Sequence, residues 1–124
     1  MKLRRDERGA ALVEFAFVLP LLVLFVFGIV EFGRAYSARI ELTSAVREGA
    51  RAGALGNDPV VATRNGAPGL DGSQITVVPT ACPATPGPTD NSTVNASYPF
   101  HYDIPLFRSG TWTLTAKGVM RCAG

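Results

Sequence analysis

Between Ala10 and Gly33 the chain reads AALVEFAFVLPLLVLFVFGIVEFG, and no charged side chain falls between Phe15 and Val30. At about 1.5 Å per residue these positions make a helix of roughly 36 Å. A bilayer hydrocarbon core is about 30 Å thick, so the segment is long enough to cross one. Phe, Leu and Val surround the helix axis without a polar face, the pattern of a helix in lipid or wholly inside a protein. The chain has 124 residues. The remaining mass is too small to enclose such a rod, which leaves the membrane reading.

Outward from this segment the composition divides. Before it stand Lys2, Arg4, Arg5 and Arg8, with Asp6 and Glu7 among them; after it come Arg34, Arg39 and Arg47. The positive-inside count mildly favours a cytoplasmic N-terminus. Cys82 and Cys122 lie on the far side, where an oxidising compartment can pair them. The net charge of +2 gives no argument for nucleic acid. One His and two distant Cys do not make a metal cluster.

Glu14 is out of place in the apolar run. A carboxylate at the centre of a bilayer costs up to about 3 kcal/mol on insertion scales, and less near the edge. Residue spacing alone leaves two readings open. Glu14 snorkels to the headgroups near Arg8, or it meets a cationic partner within the membrane.

The string Arg8-Gly9-Ala10-Ala11-Leu12-Val13-Glu14-Phe15 is a basic leader ending in Gly, then an apolar run with Glu fifth. It resembles the processing site of type IV pilins and pseudopilins. The continuation VLPLLVLFVFGIVEFGRAY and the later AVREGARAGAL resemble the TadE-like family of tight-adherence (Flp) pilus biogenesis, and TWTLTAKGVMR resembles that family's last strand. The resemblance implies cleavage between Gly9 and Ala10 by a prepilin peptidase of the inner membrane. It implies that Glu14 pairs with the freed N-terminal amine of a neighbouring subunit and sets the axial register. Flp pilins proper usually carry Tyr after that Glu and are much shorter. Phe15 and the long C-terminal region therefore favour a minor pseudopilin over a major pilin. The implied partners are the peptidase, the major Flp pilin and other pseudopilins, the inner-membrane pilus platform and membrane lipid, with no nucleic acid. Removal of residues 1–9 would leave eight basic and eight acidic side chains, so the basic excess belongs to the leader.

Helical patterning continues past Gly33, with no Pro until Pro59. At 100° per residue Ala35, Ala38, Leu42, Ala45, Val46, Gly49, Ala52 and Gly53 share a face. Small residues there let another backbone approach closely. Ala38, Ala45, Gly49 and Gly53 are thus candidates for packing against the C-terminal sheet or a neighbouring pseudopilin. The competing reading is a helix end fraying from Gly49, with Gly53 or Gly56 as the stop. The helix is expected from Ala10 to about Ala54, bent locally at Pro20, which lacks an N–H. Glu48 and Arg51 form a favourable i,i+3 pair.

Residues 56–73 are turn-rich and read as loop. Strands are expected over 74–79, 93–102 and 111–121, with a loop of Pro, Thr and Asn over 80–92 and a turn at Ser109-Gly110. Trp112, Leu114 and Ala116 alternate with Thr111, Thr113, Thr115 and Lys117 in the last of these strands. So small a sheet is near the lower limit of stability. A Cys82–Cys122 bridge would close a loop of about 40 residues and contribute about 4 kcal/mol in the chain-entropy model; free buried thiols are the alternative. His101 reads as structural. No nucleophile elbow, phosphate-binding loop or carboxylate pair is present, so neither an enzyme nor a cofactor is expected. Two Asn-x-Ser/Thr strings carry no weight in a bacterial family.

The expected organisation is α+β, membrane-anchored and pilin-like: a leader over 1–9, a transmembrane helix over 10–33, an extramembrane helix over 34–55, and a small β-rich antiparallel region with loops over 56–124. The expected setting is the bacterial inner membrane, single-pass, N-terminus cytoplasmic and C-terminal region extracytoplasmic. A second functional reading, a secreted or anchored binding module cut by an ordinary signal peptidase before Ala38, remains open.

Overall fold

The computed structural model describes residues 3–123. Met1 and Lys2 of the expected leader, and Gly124, lie outside the described residues. Helix α1 runs Leu3–Ala54, 52 residues, and passes through Pro20 without a break. It is followed by a short helix α2 (Pro59–Asn65), a single 3-10 turn (Gly72–Gln74), and strands β1 (Thr76–Thr80), β2 (Asn91–Ile104) and β3 (Arg108–Arg121). The strands form one antiparallel sheet in the order β1-β2-β3. The α+β class is the one the sequence leads one to expect. Helix α1 starts upstream of Ala10 because Arg, Asp and Glu are tolerated helix residues, and it passes through Gly9 without a break.

Helix α1 ends in a Schellman motif. Gly56 takes φ +81. The Asn57 N–H donates to the Ala52 carbonyl at 2.8 Å and the Gly56 N–H to Gly53 at 3.2 Å, the paired bonds that satisfy the last carbonyls.

The sheet lies along the C-terminal half of α1. Strands β2 and β3 pair in unbroken register from Asn91↔Arg121 to Ile104↔Arg108. Every second residue of β2 points at α1, and Ser92, Val94, Ala96 and Phe100 are buried. Leu42, Ala45, Val46 and Ala50 of α1 meet Ala67, Ile75, Val94 and Ala96 in the main core. Ala35 and Ala38 meet Phe100 in a second cluster nearer the membrane segment. The hairpin therefore runs down α1 in the direction of its N-terminus.

Three local expectations require correction. Residues 56–73 are not all loop: Asp58 caps α2, its carboxylate accepting from the Val60 N–H at 2.8 Å, with Pro59 at the first helical position. Ser109 and Gly110 are not a turn but lie inside β3, opposite Asp103 and Tyr102. The reversal is at Pro105–Phe107, closed by a bond from the Phe107 N–H to the Ile104 carbonyl at 3.1 Å. Among the described residues, the ion pair is Glu31–Arg34 at 2.8 Å rather than Glu48–Arg51. Pro99 sits in β2 past Ser97, the last residue paired with β1. Its strand has a neighbour on one side only at that point, and the missing N–H is tolerated.

Candidate functional site on the protruding helix

Buried residues of α1 begin at Ala35, and ahead of them the hairpin end only flanks Leu24–Phe32 across open cavities. From Leu12 to Phe32 its large apolar side chains stand exposed, among them Phe15, Phe17, Leu21, Phe25 and Phe32. Among the described residues, it is the one helix long and apolar enough to cross a membrane, and its most apolar window is wholly unburied. Exposed Phe and Leu over so long a stretch are stable only against lipid or another apolar helix.

Gly9, Ala10 and Glu14 lie on this bare part, all exposed. No atom lies within 4 Å of where a Cβ on Gly9 would stand, so the peptide bond after it is open to a partner. Glu14 has no ion pair among the described residues.

The small-residue face is turned the other way. Ala38 and Ala45 are buried against the sheet. Gly49 lies against Thr63 and the Pro59 carbonyl of α2, and Gly53 against Ser92 of β2. Thr63 is fully buried and its hydroxyl donates to Pro59 at 2.7 Å. The close approach these residues permit is used within the chain, and a neighbouring subunit does not find them open. Both glycines are inside the continuous helix, Gly49 buried and Gly53 half-buried, and Ala50 and Ala54, outside the face drawn from the sequence, are buried beside them.

Cys82 and Cys122 form a disulfide with Cα atoms 6.0 Å apart. It ties the 81–90 loop to the end of β3, where the Cys122 N–H also donates to the Asp90 carbonyl at 3.0 Å. His101 Nδ1 lies 3.0 Å from Thr111 Oγ1 across the hairpin. The Ser73 hydroxyl, then the Ser73 N–H, hold the Asp71 carboxyl below its ordinary value. Among the described residues no group of His, Cys, Asp or Glu could hold a metal ion.

Sequence reasoning missed an apolar cavity of about 500 Å³ between α1 and the far end of the hairpin, lined by Gly28, Glu31, Phe32, Tyr102, Phe107 and Trp112 among others. Arg34 lies next to two of its lining residues, Glu31 and Phe100. Its guanidinium pairs with Glu31 and lies 5.5 Å from the centre of the Phe100 ring.

The family model described as TadE-like protein matches residues 9–51. That span covers the bare apolar segment, Gly9 and Glu14, and the buried small-residue face to Arg51. Residues 9–51 of α1 are thus similar to the TadE-like family, which is associated with tight-adherence pili. No curated protein and no solved structure matches the chain.

Proposed function

We propose that this protein is a minor pseudopilin of a tight-adherence pilus system. In this reading it is a structural component and not an enzyme. It is held in the bacterial inner membrane by α1, N-terminus cytoplasmic and sheet extracytoplasmic. A prepilin peptidase cuts it between Gly9 and Ala10, and it assembles with the major pilin and other pseudopilins on the inner-membrane platform. The observation that carries the reading is the division of α1. One face of its second half is buried by the chain's own sheet and α2, and its first turns, with Gly9, Ala10 and Glu14, are exposed.

The chemistry supports this order of events. A protease binds its substrate extended, and Gly9 weakens helix by about 1 kcal/mol relative to Ala, easing local unwinding at the bond to be cut. Cleavage frees an ammonium at Ala10. In lipid an ammonium and a carboxylate are each costly alone, and pairing with Glu14 of an adjacent subunit offsets much of that cost. The disulfide-tied sheet then serves as the exposed head.

N-terminal sequencing of the membrane-purified protein tests the reading. Ala10 as first residue is expected, with Gly9→Ala remaining full length. Equal processing of both, or a start at Ala38, overturns it, the latter in favour of a module secreted by an ordinary signal peptidase.

A further inference from the structure

We infer that the tip of the β2–β3 hairpin is a second membrane-contacting element, seated in the lipid headgroup and upper acyl region beside α1. The inference rests on the reading of α1 as membrane-spanning and not on cleavage at Gly9.

The argument begins with depth. Ile104 and Phe107 line an apolar cavity together with Leu24, Phe25, Gly28, Ile29 and Phe32 of α1. Leu24 is seven residues, roughly 10 Å, to the lipid side of Glu31, the first charged residue after the uncharged run. The 10–33 segment exceeds a bilayer core by only about 6 Å. Even if all that excess projects at the sheet end, Leu24 and Phe25 remain below the lipid surface. A hairpin tip at their level cannot be in bulk water. Its length is consistent with this reach: 14 residues of β2 extend about 43 Å, and the helix from Leu24 to Ala54 rises about 45 Å.

The residues at the tip suit that depth. Leu106 is fully exposed and Phe107 is 71% exposed, which no contact within the chain explains. Leu106 has φ 64, the conformation usually given to Gly or Asn at this turn position. Behind the tip stand Trp112, 58% exposed, and Tyr102, packed edge-to-face at 6.2 Å. Arg34 lies at the level of Phe100 and Trp112, whereas Arg108 flanks the turn opposite Ile104. Trp and Tyr above Leu and Phe is the ordering found where proteins meet the membrane interface.

The test uses full-length protein in nanodiscs at one copy per disc. A single tryptophan is placed at Leu106→Trp or Phe25→Trp in a Trp112→Phe background, and quenching by brominated phospholipids is compared with quenching by aqueous acrylamide. Quenching of Leu106→Trp by lipids brominated near the headgroup, with protection from acrylamide, is the expected result. If Phe25→Trp is quenched by lipid and Leu106→Trp by acrylamide, the tip is in water and the inference is overturned while the spanning helix stands. If neither is quenched by lipid, the span and the inference fail together. Protection of Leu106→Trp that arises only at several copies per disc assigns the tip to a second subunit and also overturns it. Leu106→Asp is expected to reduce lipid quenching of native Trp112 at least twofold; unchanged quenching counts against tip insertion.

Discussion

Gly118 of β3 lies against the main-chain carbonyl of Val46 on α1. A Cβ on Gly118 would strike the carbonyl oxygen and carbon of Val46 and stand 3.0 Å from the Arg47 nitrogen. Neither backbone can yield without moving the helix from the sheet, so this contact sets how closely the two layers approach. Gly118→Ala is expected to destabilise the head by about 1–3 kcal/mol, the usual cost of overpacking. Denaturant unfolding of detergent-solubilised protein, followed by Trp112 fluorescence, measures it. Gly28→Ala, with open space around the site, should leave the midpoint unchanged.

The disulfide should matter more than any single core contact. Cys82 and Cys122 are 40 residues apart in sequence, and closing such a loop removes about 4 kcal/mol of denatured-chain entropy in the chain-entropy model. The three-stranded sheet has a core of small residues, chiefly Ala and Val, and little surplus stability. Replacing both cysteines by Ser is expected to lower stability by about 2–4 kcal/mol. An unfolding midpoint equal to that of the oxidised wild type would show that the loop ordering does not depend on the bridge.

Much of this fold is legible in residue pattern, and the failures have physical causes. The apolar run and the alternation in β2 and β3 are long-range patterns with many residues each, so local exceptions do not disturb them. Helix α2 was hidden because its sequence, PVVATRN, is short and flanked by Gly, Asn and Asp, which read as loop. The signal was Asp58-Pro59, a cap followed by a proline at the first helical position. The hairpin reversal was misplaced for a related reason. Ser109-Gly110 has turn composition, but Gly110 sits in β3 under the Tyr102 ring, whose hydroxyl would be 2.6 Å from a Cβ there. Pro105-Leu106 makes the turn with a Leu in a conformation that composition does not announce. At the site, exposure of Glu14 follows from the apolar run. The inward use of Gly49 and Gly53 does not, because small residues serve an internal sheet and an external subunit equally well.

Asp71 gives a prediction in pH. The Ser73 hydroxyl donates to its carboxylate at 2.6 Å and the Ser73 N–H at 3.0 Å, and both favour the charged form, lowering the pKa. A depressed folded-state pKa contributes stability above the unfolded value, and that contribution is lost as pH falls through the lower, folded one. The carboxyl is exposed, so the effect on stability is small. Ser73→Ala removes the larger of the two bonds and should move the Asp71 pKa up toward the ordinary aspartate value, measurable by NMR titration of its side-chain carbon. An unmoved titration would mean that the N–H bond alone holds it down.

The register role of Glu14 is open to a test that separates assembly from anchoring. Glu14→Gln keeps size and shape but removes the charge, so α1 should insert at least as well, since the amide is cheaper than the carboxylate in lipid. Peptidase processing after Gly9 should also proceed, because the residues at the cut are untouched. What is lost is the partner for the freed Ala10 amine of an adjacent subunit. Leaving one member of a buried ion pair alone costs about 3–5 kcal/mol, and about 3 kcal/mol corresponds to roughly a hundredfold in association. Pull-down of pilin partners from membranes and counting of filaments by electron microscopy should both fall steeply, while the fraction of protein in the membrane and the mature N-terminus stay as in the wild type. Glu14→Asp retains the charge on a shorter arm and should recover part of the loss. Full assembly with Glu14→Gln would leave α1 as an anchor but remove the carboxylate from any account of how subunits find their axial positions.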